Sequence, residues 1–454
     1  MSSGGERAWQ ALVGHFGADH VNGVASSRRR FAAHLLPDLQ TAIVAEIAPF
    51  NPVLSGVHQS YEFHALTISA LLIRGDSAVS ITPLQYQDMD VGEEEPFAAL
   101  NNGLWLFRLQ GAPVAVLLSH YEDHFGRSRL AQVEIAYLPS DAASQFARGF
   151  LQRVQRAGEE SHLYRGKVLS FESGSDYSGM RADMLVHTLP KVERGDVILA
   201  ETTMARLDKH VFEFDRQRAA LKRLGQSTRK GVLLYGPPGT GKTHVIRYIS
   251  STLTDHTTVL ITAEQVRNLG RYMTLARTLQ PSIVVLEDVD LIGRSREGMN
   301  SPNTEVLLNR LLNEMDGLRA DADILFVLTT NRPEDIEDAL ASRPGRVDEA
   351  IEVPLPDDVC RQRLIALYGR ALAFADGAVA EAVSRSQGAS AAFMKEMVRR
   401  LAQDSLARDS GREVLGEDVA RVFGDVVSNP SRMSRRIVGM TETPKKTPSE
   451  DACC

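Results

Sequence analysis

Short apolar runs and longer amphipathic stretches divide the 454-residue chain into three zones. In the first, residues 112–121 and 132–138 both predict β-strands, the former as a nearly continuous apolar run. Ser140 or Asp141 then offers a side-chain oxygen to cap a following helix. In that helix Phe146, Phe150, Leu151 and Val154 recur at i, i+4, i+5 and i+8, which lays one apolar face along it. A further strand is predicted at 168–171. The pattern over 1–190 predicts a compact α+β domain, with no recognised motif from which a ligand can be read.

Ser- and Gly-rich residues 171–181, and then 189–195, read as a connection. Beyond it the pattern changes. Short β-rich apolar runs at 231–235, 258–261, 283–286, 324–329 and 350–353 alternate with helical stretches. That alternation predicts a parallel sheet covered by helices on both faces over 191–355. From Pro356 the periodicity is helical only, with helices expected near 357–371, 390–406 and 416–424, a small helical lid over 356–428. Residues 429–454 lose the apolar pattern and gain Pro, Lys, Thr and Ser, so a disordered tail is expected there. No internal repeat is evident.

A chain of this length calls for two or three domains. The balance of 51 basic to 58 acidic residues, a net −7, argues against general binding to nucleic acid or anionic membranes. The tight run Arg28, Arg29 and Arg30 is read as a solvated helix face. Cys360, Cys453 and Cys454 offer neither a disulfide framework nor zinc spacing, which fits a reducing compartment. No apolar run approaches the ~18 residues needed to span a bilayer. The N-terminus lacks the basic-then-apolar pattern of a signal. No membrane association and a cytoplasmic location are therefore expected. His120 and His124, with Glu122 and Asp123 between them, are read as a polar loop in preference to a metal site.

The chemistry concentrates after the run at 231–235. Gly236, Pro237, Pro238, Gly239, Thr240, Gly241, Lys242 and Thr243 satisfy G-x-x-x-x-G-K-[ST], between a predicted strand and a predicted helix. Glycines let backbone N–H groups turn inward around phosphates, and the helix start adds unpaired donors. Lys242 would reach the terminal phosphates and Thr243 would offer a hydroxyl to Mg²⁺. ATP with Mg²⁺ is the expected ligand. A second signal is the apolar strand that ends in Glu287, Asp288, Val289 and Asp290. Hydrolysis needs one carboxylate for the metal shell and one to orient or deprotonate water, and α/β sheets place such groups at strand carboxyl ends. Glu287, with Thr243, is the metal-side candidate, and Asp288 the water-side one.

With these residues in view, the chain resembles the AAA ATPase family over about 196–427. The fold implied is an α/β P-loop NTPase with a C-terminal helical lid. Residues 236–243 look like Walker A and 283–288 like Walker B, while 303–318, with Leu-Leu-Asn-Glu-Met-Asp-Gly, is similar to the segment that follows. The resemblance implies that 324–331 is the sensor-1 strand, with Asn331 facing the γ-phosphate. It also implies that Arg343 and Arg346 are arginine fingers reaching a neighbouring subunit's nucleotide, although these residues taken alone would equally make surface ion pairs. A homo-oligomeric ring, usually hexameric in this family, and protein substrates follow from the same resemblance. Residues 196–199 resemble the segment that packs near adenine.

Two departures matter. The family usually ends Walker B with Asp-Glu, whereas here the order is Glu287-Asp288, as in mitochondrial respiratory-chain translocase-type relatives. Slow but real hydrolysis is expected. The aromatic-apolar-Gly loop of threading relatives is also missing, and Tyr272, the nearest aromatic, is read as packing within a helix. No H-E-x-x-H occurs, which sets a fused zinc protease aside. The layout looks like that of bacterial single-ring, chaperone-like AAA proteins. ATP-driven remodelling of proteins is the expected function. A nucleotide-gated binding module with little turnover is the alternative, and nucleic-acid remodelling is disfavoured by the charge.

Overall fold

The computed structural model describes residues 8–58, 66–72, 79–122, 129–160, 163–171, 184–291, 313–314, 322–334, 347–407 and 413–428. The chain divides into two compact units, Met1–Thr188 and Leu189–Cys454.

The first unit is built on an antiparallel sheet. Its elements are α1 (Ala8–Phe16), β1 (Ala25–Ala32), α2 (Leu36–Ile47), β2 (Val53–His58), α3 (Ile68–Leu71), β3 (Ser80–Thr82), β4 (Tyr86–Met89), β5 (Phe97–Leu100), β6 (Gly103–Leu109), β7 (Ala112–Glu122), β8 (Arg129–Tyr137), α4 (Asp141–Glu159), β9 (Val168–Ser170) and β10 (Leu185–His187). The main sheet has the order β1-β8-β7-β6-β2-β3, and β4 pairs separately with β5. Alternation along β7 and β8 explains the layering. Val114, Val116 and Leu118 with Val133 and Ile135 face a core completed by α2 and α4. Ala115, Leu117 and Ala136 face the opposite core, with α1 and α3. Helix α4 starts where expected: the Ser140 hydroxyl accepts from the Ala143 amide at 3.2 Å.

One expectation is corrected here. Arg28, Arg29 and Arg30 lie on strand β1, not on a helix. In an extended chain successive side chains take opposite faces, so Ser26, Arg28 and Arg30 stand on one side and Ser27, Arg29 and Phe31 on the other. That alternation, together with backbone pairing to β8, outweighs the weak helical preference of consecutive arginines. Helix α2 also went unpredicted.

The second unit opens with α5 (Glu201–Leu207), which runs through a π-helical turn at Asp208–Glu213 into α6 (Phe214–Arg223). Then follow β11 (Lys230–Tyr235), α7 (Lys242–Thr252), β12 (Thr257–Ile261), α8 (Leu269–Thr278), β13 (Ser282–Leu286), β14 (Ile324–Thr330) and β15 (Glu349–Glu352). These strands run parallel, side by side in the order β12-β13-β14-β11-β15. All of β13 and β14 is buried, as expected for a sheet covered on both faces. The order places β14 between β13 and β11, so the chain ends that follow these three strands converge. Tyr272 lies in α8 and is 0% exposed, so it serves the core of this unit.

Four helices complete the unit: α9 (Asp358–Tyr368), α10 (Ala378–Arg385), α11 (Ala391–Ala407) and α12 (Gly416–Ser428). They enclose a core of Leu364, Phe393, Met397, Leu401, Val419 and Phe423. Asp357 caps α9 through the Cys360 amide at 2.7 Å. Residues 429–454 lie outside the described residues.

Candidate functional site

Strand β11 delivers the chain into the loop at 236–241, which enters α7 at Lys242. Glycine is required by the backbone at both ends of this loop. Gly236 has φ 147°, and a β-carbon there would stand 2.3 Å from the Val353 carbonyl oxygen. Gly241, the residue before the helix, has φ 105°. The loop thus turns its backbone tightly at both ends, as a phosphate cradle at a helix start needs. It is braced from the helical bundle: the Ala392 amide donates to the Gly239 carbonyl at 3.0 Å.

Lys242 is 6% exposed, and its Nζ donates to the carbonyls of Gly236 (2.7 Å) and Pro237 (2.9 Å). Burial pushes its pKa down to about 8, against the opposing pull of Asp288 and Asp290. Thr240 closes the loop by donating from its hydroxyl to Pro237 at 3.0 Å. Thr243 is exposed at the first turn of α7.

Opposite this cradle, β13 ends in Glu287 and Asp288. The Glu287 amide still donates to Ile261 at 3.1 Å, so its backbone belongs to the sheet edge. Its Oε1 is buried, with no hydrogen-bond partner among the described residues. A buried carboxylate oxygen without a donor is the electrostatic setting a divalent cation would satisfy, so the residues fit a triphosphate held with a metal. Asp288 turns the chain sharply at φ 50°, a left-handed conformation that Asp tolerates better than most residues. Its amide donates to Thr329 Oγ1 at 2.9 Å, and its Oδ1 accepts from Asn331 Nδ2 at 3.1 Å. Asp290 is buried behind them, and its Oδ1 accepts from the Thr330 hydroxyl at 2.9 Å and the Asn331 amide at 3.1 Å. The ends of β13 and β14 are thereby pinned to each other.

The structure brings together Lys242, Glu287, Asp288 and Asn331. Arg343 and Arg346 lie outside the described residues, as does most of 303–318. Sequence reasoning missed Asp290, Thr329 and Thr330, whose roles depend on strand neighbours. It also missed the outer face of α7. There His244 Nε2 meets the Asp196 carbonyl at 3.1 Å, Tyr248 stands beside the Arg194 side chain, and Ser251 Oγ accepts from the Val192 amide at 3.3 Å. These anchors, four and three residues apart, share one helix face and hold the stretch 192–196 against it. Arg194 is further clamped by Asp208 at 2.6 and 2.7 Å. Among the described residues no three His, Cys, Asp or Glu side chains gather as a stand-alone metal site, and no helix is long and apolar enough to cross a membrane.

A glycine-bounded phosphate cradle, a buried lysine and a carboxylate pair after β13, one of them bonded by Asn331 from the end of β14, define a P-loop nucleoside-triphosphatase site. Comparison with known proteins agrees. Residues 232–355 match the model of the ATPase family associated with various cellular activities (AAA). The chain is 30% identical over 282 residues to the ATP-dependent zinc metalloprotease FtsH of Thermus thermophilus, covering 59% of this chain and 44% of that protein. It is 33% identical over 258 residues to the FtsH of Thermotoga maritima, covering 53% and 41%. It is 32% identical over 227 residues to 26S proteasome regulatory subunit 8 of Caenorhabditis elegans, covering 47% and 54%. The chain thus spans about half, or less, of these relatives. Over residues 232–355 the chain is thus similar to the AAA ATPases, and these homologues indicate ATP hydrolysis.

Proposed function

We propose that this protein is an ATP-driven, chaperone-like remodeller of other proteins that works as a homo-oligomeric ring in the cytoplasm. The observation that carries the ATP-driven part is the bond from Asn331 to Asp288, made beside a buried Lys242 that senses the Asp288 charge. The loop amides from Gly236 to Gly241, with Pro237, Pro238, Gly239 and Thr240 shaping the turn, cradle phosphate oxygens. Lys242 exchanges its two loop carbonyls for the β- and γ-phosphates. Thr243 and Glu287 would hold Mg²⁺, which would neutralise charge on the phosphates. Asp288 orients the attacking water and takes its proton, and Asn331 fixes the carboxylate that does so.

In this reading Arg343 and Arg346 of one copy complete the site of the next, which makes assembly a condition of turnover. A positioned guanidinium is worth on the order of 10³–10⁵ in rate. A hexamer is the proposed stoichiometry. The N-terminal unit, about 1–190, recognises the client. Residues 191–355 hold the nucleotide and 356–428 act as the lid. The Gly239–Ala392 bond supports that lid role, since it ties the helical bundle to the phosphate loop. Aggregation of a model client, followed with and without ATP, tests the proposal: the wild type should suppress it in an ATP-dependent manner and Lys242→Ala should not. Identical behaviour of the two proteins would remove the ATP-driven part.

The inverted order Glu287-Asp288 favours a second reading, a nucleotide-gated binding module with little turnover. Asp is one methylene shorter than Glu, and its Oδ1 is already engaged by Asn331. Steady-state hydrolysis by the assembled protein above about one per minute, far below common enzyme rates, would count against it.

A further inference from the structure

The turn after β13 holds a residue with a β-carbon in a conformation that needs outside support. Asp288 has φ 50°, in the left-handed region, which side-chain-bearing residues occupy where their surroundings hold them there. The parallel ladder between β13 and β14 ends at Leu286 opposite Leu328. Beyond that pair the Asp288 amide turns to a side chain and donates to Thr329 Oγ1 at 2.9 Å. Had the strand continued extended, Glu287 and Asp288 would have alternated to opposite faces of the sheet, and the turn releases Asp288 from that alternation.

Thr329 is a rigid acceptor for that amide. It is buried, it lies in a strand that is buried throughout, and its β-branched side chain has few rotamers. Neighbouring strand residues face opposite sides of a sheet. Thr329 takes the Asp288 amide, whereas the Thr330 hydroxyl donates to Asp290 Oδ1 at 2.9 Å, so the turn is gripped from both faces of β14. This matters more for Asp than it would for Glu. Asp has one torsion fewer between backbone and carboxylate, so its oxygens follow the backbone closely. The place of Asp288 Oδ1, which accepts from Asn331 at 3.1 Å, is thus set by the turn as much as by that donor.

We propose that Thr329 is a positioning residue for hydrolysis: its hydroxyl holds the left-handed turn at Asp288 and so places the shorter carboxylate against the attacking water. Asn331 grips the carboxylate, and Thr329 grips the backbone from which it hangs. This rests on the reading that Asp288 orients and deprotonates water, and it names the group that lets an Asp do so at this position.

The test is a double-mutant cycle on the full, assembled chain. It reads ATP hydrolysis and, separately, binding of a fluorescent ATP analogue with magnesium. Thr329→Val keeps the shape and the β-branch and removes the hydroxyl. It should lower kcat on the order of ten- to a hundredfold, the scale of a small misplacement of a reacting group. KM and analogue affinity should stay within about twofold, because the phosphate cradle is untouched. Thr329→Ser should recover most of the lost rate. In an Asp288→Asn background, Thr329→Val should slow hydrolysis by no more than about twofold further, since a group that acts through the Asp288 carboxylate then has nothing left to place. Should the valine variant fail to bind the analogue, Thr329→Cys, with a weak acceptor of similar size, repeats the comparison with the same expected result. An unimpaired kcat in Thr329→Val, no recovery by Thr329→Ser, or an equal further loss in the Asp288→Asn background would overturn the proposal. If Asp288→Asn itself hydrolyses ATP at the wild-type rate, the base reading falls and this proposal with it. A slow Asp288→Asn beside an unimpaired Thr329→Val rejects the proposal alone.

Discussion

Asn331 donates through Nδ2 to Oδ1 of Asp288 at 3.1 Å, and it joins the end of one parallel strand to the turn that follows its neighbour. Asp288 stands at φ 50° there, so its direction is set by the turn and by this single side-chain donor. Asn331→Ala should therefore lower kcat by on the order of 10²-fold, the usual effect of losing one positioned donor in an active site. KM for ATP should change little, because the phosphate cradle is untouched. Steady-state hydrolysis by the assembled protein reads both constants.

Lys242 makes stability depend on pH in a definite direction. Its folded pKa is pushed down to about 8 by burial, whereas an unfolded lysine titrates near 10.4. Between those values the unfolded chain holds more protons, so the nucleotide-free protein gains stability as pH rises from about 8 to about 10. Below pH 8 both states are protonated and the penalty is fully present. Thermal unfolding of Lys242→Met, followed from pH 7.5 to 9.5, should lack this rising contribution. Triphosphate oxygens favour the charged amine, so nucleotide binding at pH 8.5 should take up protons in the wild type and not in Lys242→Met. Calorimetry in buffers of different ionisation enthalpy measures that uptake.

Gly236 carries a steric demand that nothing else in the loop can relieve. A β-carbon at φ 147° would lie 2.3 Å from the Val353 carbonyl, which is backbone and held by its own amide's bond to Tyr235 at 2.7 Å. Gly236→Ala should destabilise the second unit by about 1–3 kcal/mol or more. Denaturant unfolding checks the magnitude.

Asp290 is 5% exposed and satisfies both Thr330 and the Asn331 amide. Asp290→Ala leaves two buried donors without a partner, at about 1–3 kcal/mol for each. Asp290→Asn keeps a carbonyl acceptor and should restore part of that loss. Because Asn331 is anchored through its amide, kcat should fall with the alanine change more than with the asparagine.

The parts of this molecule legible in the sequence are those encoded by contiguous residues. The phosphate loop lies within eight consecutive positions, and the buried strands β11, β13 and β14 are short apolar runs that read directly as a covered parallel sheet. Tyr272 was read correctly as packing, because its helical neighbours are apolar at the right spacing. What could not be read depends on partners far away along the chain. The run Arg28–Arg30 belongs to a strand only because β8, about a hundred residues later, pairs with it. The role of Asp290 needs β14 beside β13. Helix α10 was missed because it is short and begins at a left-handed Gly377 with no side-chain cap. The fastening of 192–196 along His244, Tyr248 and Ser251 needs the helix face of α7 and a segment that carries no motif of its own.

The central claim is that Asp288, where the family the chain resembles usually has a longer acid, supports hydrolysis at this site. Asparagine tolerates the same left-handed turn, so Asp288→Asn should keep the fold and the affinity for ATP with magnesium while removing the base. Phosphate release measured on the assembled protein under saturating ATP and magnesium is the direct test. The wild type should turn over steadily, and Asp288→Asn should release phosphate at least a hundredfold more slowly. Equal rates for the two proteins, or no release by the wild type when nucleotide is demonstrably bound, would contradict the account.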